Sequence, residues 1–148
     1  ITATIVVSDA GSVVEDDASY LTYTVSLSNA VGEDVDVTLG TSGSATDGTD
    51  YDSLEYFDGT NWIAVTGDIT LPADASSVQV RVSVIDDAIT ESNETVILGA
   101  ITTDSQITDA TDTGSGTITE DLGTNPVDED ITATIVVSDA GSVVEDDA

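Results

Sequence analysis

Apolar side chains recur at every second position along this chain, and that period admits strands rather than helices. Val78, Val80, Val82 and Val84 alternate with Gln79, Arg81 and Ser83, and Leu21, Tyr23, Val25 and Leu27 alternate with Thr22, Thr24 and Ser26. Val35, Val37 and Leu39 repeat the pattern around Asp36 and Thr38, as do Val96, Leu98 and Ala100. An extended backbone sends successive side chains to opposite faces, so each segment presents one apolar and one polar face, as a half-buried antiparallel strand does. Shorter strands are expected at residues 2–7, 68–71 and 116–119. Segments 54–57 and 62–65 flank Asp58-Gly59-Thr60-Asn61, a turn that predicts an extra hairpin over residues 54–65. The expected fold is all-β: an antiparallel β-sandwich of about seven to nine strands, with two sheets packed face to face.

Residues 1–18, ITATIVVSDAGSVVEDDA, recur unchanged at residues 131–148, a period of 130 residues. That length is a whole domain rather than a solenoid motif, so the chain reads as one bead of a tandem array. The bead covers residues 1–121, an acidic inter-repeat linker covers 122–130, and residues 131–148 are the truncated start of the next identical repeat. The nine linker residues, LGTNPVDED, reach at most about 30 Å, and Pro126 stiffens their path. Adjacent identical repeats in the same chain are the expected neighbours. A strand without sheet partners leaves its backbone unsatisfied, so the terminal segment is expected to pair with a neighbouring molecule or to fold over the first bead. The chain opens at Ile1 and carries no apolar run near 18 residues, so it is expected to be an internal fragment with neither signal peptide nor membrane span.

Thirty acidic residues stand against one basic residue, Arg81, giving a net charge of −29, and there is no His, Cys, Met or Lys. Nucleic acid and anionic membrane surfaces both repel such a chain, and cations are its natural partners. Its 39% of hydrophobic residues is nevertheless enough to bury a core. Without His, Cys or Lys there is no ordinary catalytic triad, Schiff base or imidazole acid–base pair, and only a carboxylate pair remains for chemistry. The chain is therefore expected not to be an enzyme. The missing Lys also excludes a Lys-to-Asn isopeptide crosslink, and the missing Cys excludes disulfides without deciding the compartment.

The carboxylates cluster at strand ends, in VVEDDA, GTDYD, VIDDAITESNET and GTITED, where loops from one pole of a sandwich converge. Calcium takes six to eight oxygen ligands, and such loops could supply them. Any one Asp is equally well explained as a turn residue or a solubilising surface charge. The tight group Asp86, Asp87, Glu91 and Glu94, directly after the valine strand, points to the metal.

In their order, GSATDGTDYD, VIDDAITESNET and GTITED resemble the Calx-β family, and the resemblance covers about residues 1–121. That family is an immunoglobulin-like β-sandwich seen in sodium/calcium exchangers and, as extracellular repeats, in large bacterial adhesins. The resemblance implies several Ca2+ ions held by Glu15, Asp50, Asp86, Asp87, Glu91, Glu94, Glu120 and Asp121. The linker acids Asp128, Glu129 and Asp130 offer a further inter-repeat metal site. Asp16 stands where the family often has Gly, and Glu120-Asp121-Leu122 stands where it often has three Asp, which leaves the ion count open. Among family members, high copy number and acidity point to RTX-type adhesins secreted by type I systems. The implied role is a calcium-rigidified extender on the bacterial cell surface, extracellular, projecting a distal binding domain in adhesion and biofilm formation. The alternative is a calcium-dependent carbohydrate- or ligand-binding module in which Trp62, Tyr56 and Phe57 stack on sugar rings. A lone Trp more often packs on its own sheet.

Overall fold

The alternating valines become the inner face of a central strand. A computed structural model describes residues 2–16, 19–74, 77–87, 89–120 and 133–145 of the 148-residue chain. Within them lie β1 (Ala3–Val7), β2 (Gly11–Val14), β3 (Tyr20–Leu27), β4 (Val35–Ser42), β5 (Tyr51–Phe57), β6 (Trp62–Ala64), β7 (Ile69–Leu71), β8 (Ser77–Val84), β9 (Glu94–Ile101), β10 (Ile107–Asp109) and β11 (Thr111–Thr119). They form a six-stranded sheet in the order β10-β1-β3-β8-β5-β6 and a five-stranded sheet in the order β2-β11-β9-β4-β7. Among the described residues no helix is long and apolar enough to cross a membrane.

The inward faces are those the alternation marks. Leu21, Tyr23, Val25, Val80 and Val82 of the first sheet and Val35, Val37, Leu71, Val96 and Leu98 of the second are fully buried. Tyr23 is the largest of them, and its hydroxyl donates to the Val96 carbonyl at 2.6 Å, joining the two sheets by a buried hydrogen bond. Burial pushes its phenol well above the usual tyrosine range, so it stays a neutral donor.

The expected β-sandwich is present, with eleven strands rather than seven to nine. The two strands missed, β2 and β10, are short, and they pair in parallel with β11 and β1 respectively. The remaining pairings between strands are antiparallel. A parallel partner is far away in sequence, so no turn signal precedes it. The hairpin over 54–65 forms as β5–β6, with Phe57 opposite Trp62 and Asp58 Oδ1 accepting the amides of Thr60 and Asn61. The linker 122–130 lies outside the described residues. Residues 133–145 carry no strand and are exposed.

Trp62 anchors the hairpin by covering Arg81. The guanidinium lies 3.9 Å from the Tyr20 ring centre and 4.1 Å from that of Trp62, while its Nε donates to Glu55 at 3.0 Å. Phe57 packs against Trp62 at 5.3 Å. The only basic side chain of the protein is thus committed to cation–π contact within the sheet.

Between β1 and β2 the chain changes sheets. The Ser8 amide donates to Thr24 in one sheet and the Ala10 amide to Ser115 in the other. Asp112 accepts the Val7 amide at 2.7 Å and Asp9 accepts the Ser115 amide at 2.9 Å, pinning the crossing. β11 makes room with glycine, since a Cβ on Gly114 would collide with the Ser8 carbonyl and one on Gly116 would press on Leu21 and Tyr23. Gly114→Ala is therefore expected to lower stability by about 1–3 kcal/mol through overpacking. Tyr23→Phe is expected to cost a similar amount, about 1–3 kcal/mol, by leaving a buried carbonyl short of a donor. Urea denaturation of both variants measures this, and unchanged midpoints would contradict it.

Candidate metal centre

One pole of the sandwich gathers the ends of β2, β8 and β11 and the starts of β5 and β9, and each delivers a carboxylate. Glu15 follows β2. The parallel register pairs Val14 with Thr119, and the Glu15 amide extends it by donating to the Thr119 carbonyl at 2.8 Å. That pairing buries Glu15 to 6% exposure. Asp50 precedes β5 in a tight loop, where its Oδ2 accepts the Thr46 amide at 2.6 Å and its own amide donates to the Thr46 carbonyl. The Asp50 carbonyl accepts the Ile85 amide at 3.0 Å, tying this loop to the segment after β8. Asp86 and Asp87 follow β8, Glu94 opens β9, and Glu120 follows β11.

Two sets of three carboxylates have ligand oxygens within 4.8 Å of one another: Glu15, Asp87 and Glu91, and Asp50, Glu91 and Glu94. Glu91 belongs to both. Glu120 Oε2 accepts the Glu91 amide at 2.8 Å, and Glu15 Oε1 accepts the Asp87 amide at 2.9 Å, so the acids are held by neutral backbone donors. Ser92 and Ile118 line the same small cavity as Glu15, Asp50, Glu91, Glu94 and Glu120. Asp86 is half-buried beside Asp87 with one carboxylate oxygen shielded from solvent, and it joins neither set. Asp121, Asp128, Glu129 and Asp130 lie outside the described residues.

Of the acids elsewhere, many serve the backbone. Asp34 accepts the Ala73 amide, Asp104 that of Gln106, and Asp58 those of Thr60 and Asn61. The amides of Asn61 and Thr60 hold the Asp58 carboxyl below its ordinary range. These are the turn-forming aspartates, distinct from the converging set. Ser92 carried no signal in the sequence, since a lone serine in an acidic loop is ordinary.

The arrangement suits a hard divalent cation. Every side-chain donor is an oxygen, no nitrogen or sulfur ligand exists in the chain, and the single protein cation is engaged by Glu55, Tyr20 and Trp62. Glu94 lies within this crowd of acids. Burial, hydrogen bonding to Asp50 and the charges of Asp50, Glu91 and Glu120 push its carboxyl up to about 7.

Fold and site together define a two-sheet β-sandwich with a carboxylate-lined pole. Comparison with known proteins places it further: the Calx-beta domain profile matches residues 2–122, and the chain belongs to that family. Among solved structures it resembles the apo form of the Calx CBD1 domain, with a TM-score of 0.58 and 18% identity over 78% of this chain and 96% of that one. It also resembles CBD12 from CALX1.2, with a TM-score of 0.53 and 19% identity over 72% of this chain and 40% of that one. The calcium binding domain CBD12 of CALX1.1 scores 0.53 at 16% identity over 77% and 42%. At these identities the likeness establishes the fold, and this chain spans about two fifths of the two CBD12 chains. No curated protein sequence matches the chain.

The raised Glu94 carboxyl sets a pH dependence for the metal-free protein. The native state keeps a proton that the unfolded chain gives up near 4.5, so the native state binds more protons between there and about 7. Stability from this group is complete at low pH and is lost as pH rises through about 7. Denaturation in chelator at pH 5 and pH 8 is expected to show the fall, and Glu94→Gln is expected to flatten it. An equal slope in the variant would refute the assignment.

Proposed function

We propose that this chain is a calcium-stiffened extender repeat of a bacterial surface adhesin, acting outside the cell to project a distal binding domain, with no catalytic role. The observation that carries the reading is the pair of carboxylate sets sharing Glu91 in a chain with one, already committed, basic residue. Family membership and the calcium binding of the CALX1.1 relative support the choice of metal. Glu15, Asp87 and Glu91 would hold one ion and Asp50, Glu91 and Glu94 a second, with Glu120 closing the cavity and Asp86 and Asp121 within reach in sequence. The acids after β11 continue into the linker, where Asp128, Glu129 and Asp130 would extend the same neutralisation to the next repeat.

Linkage makes calcium a folding switch. A ligand bound only by the native state adds about 2.7 kcal/mol per site at one hundred times its Kd, and extracellular calcium modules bind in the range of about 10⁻⁴ to 10⁻³ M. Such a repeat stays loose where calcium is scarce and stiffens where it is plentiful. The sugar-binding alternative finds one face of Trp62 covered by Arg81 and Phe57 packed against the ring at a tilt of 51°. A groove of about 390 Å³ over Gly40 and Gly99 lies on the outer face of the other sheet, and its one charged lining residue, Asp112, already holds the Val7 amide through its carboxylate.

Saturating calcium is expected to raise the melting midpoint by at least about 10 °C over chelator. Native mass measurement is expected to count at least two ions, with Glu91→Gln losing both and Asp50→Asn losing one. Identical melting with calcium and with chelator would sink the reading.

A further inference from the structure

The first and last strands of the sandwich run side by side in the same direction. β1 and β10 are neighbours in the six-stranded sheet, β2 and β11 are neighbours in the five-stranded sheet, and both pairs are parallel. Residues 3–15 therefore form one strap that crosses from sheet to sheet, and residues 107–119 cross beside it. The two keep step along their length. Thr4 pairs with Asp109, Val7 donates its amide to Asp112, 105 positions on, and Gly11 to Val14 pair with Gly116 to Thr119. Further bonds join them at each level. At the start the Ala3 amide donates to the Gln106 carbonyl at 3.1 Å, and the Thr108 hydroxyl donates to the Ala3 carbonyl at 3.3 Å. At the crossing, where neither ladder reaches, Asp112 accepts the Val7 amide, Asp9 accepts the Ser115 amide, and the Ala10 amide donates to the Ser115 carbonyl at 3.0 Å. At the end the Thr119 hydroxyl donates to the Val13 carbonyl at 3.2 Å, and the Glu15 amide donates to the Thr119 carbonyl at 2.8 Å.

We infer that this paired strap is a mechanical clamp: tension applied through the two ends of the bead is resisted by residues 3–15 held in shear against residues 107–119. The direction of the strands decides this. When two parallel strands are pulled, the first by its amino end and the second by its carboxyl end, they are drawn past each other along their length. All the bonds between them then share the load, and none is released until several fail together. Pulling two adjacent ends apart instead breaks the same bonds one after another. Forced unfolding is governed by the barrier to rupture rather than by equilibrium stability, so the geometry of loading sets the strength. The Asp9 and Asp112 bonds matter most in this respect. They lie between the β1–β10 and β2–β11 ladders and couple them, so that the halves of the clamp do not fail separately. The clamp rests on the topology of the sandwich, and only its use in service rests on the extender reading, under which each bead carries the tension between cell and target.

Single-molecule pulling in chelator tests the clamp apart from calcium and apart from the extender reading. Handles on the two chain ends load the strap in shear. Handles on Val14→Cys, a position 47% exposed, and on the carboxyl end peel β2 from β11 instead, and the chain has no cysteine of its own to interfere. The rupture force is expected to be at least about twofold higher in the first geometry than in the second. Asp112→Ala and Asp9→Ala each remove one bond across the strap, and both are expected to lower the end-to-end rupture force while leaving the peeling force unchanged. Asp34→Ala removes a carboxylate bond of the same kind, to the Ala73 amide outside the strap, and is expected to leave both forces unchanged. The Asp9 side chain is exposed, so its variant decides the matter should Asp112→Ala fail to fold. Equal rupture forces in the two geometries, or an end-to-end force that falls as much with Asp34→Ala as with the strap variants, would overturn the inference.

Discussion

Repulsion among carboxylates is the constraint around which this structure is arranged. Two negative charges about 5 Å apart repel by about 3 kcal/mol at an effective dielectric near 20, and Glu91 sits at that range from four other acids, Glu15, Asp87, Asp50 and Glu94. The chain offers no charge to offset this, since Arg81 is spent between Tyr20, Trp62 and Glu55. Backbone amides of Thr46, Asp87 and Glu91 hold three of the acids in place by donating to them. Burial first, then the hydrogen bond to Asp50 and the charges of Asp50, Glu91 and Glu120, raise the Glu94 carboxyl, and its protonation relieves part of the remainder without a metal.

The sandwich tolerates this pole because its core lies elsewhere. Leu21, Tyr23, Val25, Val80, Val82, Val96 and Leu98 are buried between the sheets, and the Tyr23 hydroxyl bridges them through Val96. β9 transmits the core to the site: Val96 is buried two residues beyond Glu94 on the same strand. On the opposite side the β1–β2 strap does the same for Glu15, locked to β11 by the parallel register and by the Asp9 and Asp112 bonds at the sheet change. Rigid strands thus bring loop acids to a defined spacing, the condition for a selective oxygen site.

Much of this was legible locally. The alternation at 21–27, 35–39, 78–84 and 96–100 marked the inward faces correctly, because a period of two is imposed by each residue's own backbone geometry. The Asp58-Gly59-Thr60-Asn61 turn announced its hairpin for the same reason, its hydrogen bonds being made within the turn itself. The VIDDAITESNET string announced acids that meet, since Asp87 and Glu94 lie within four residues of Glu91 and each joins it in a set.

Tertiary structure decided everything that depends on partners distant in the chain. β2 and β10 exist only because β11 and β1 lie alongside them in parallel, and no period or turn within three or four residues encodes that. Glu15 becomes a buried member of the cluster through the same pairing, about a hundred residues from its neighbour Thr119. Trp62 became a lid on Arg81 rather than an exposed ring through the β5–β8 and β3–β8 pairings. The amino-acid order determines which faces are apolar and which residues are acidic. Strand pairing across the sandwich determines which acids meet, because hydrogen-bond register between remote segments is a property of the assembled sheets.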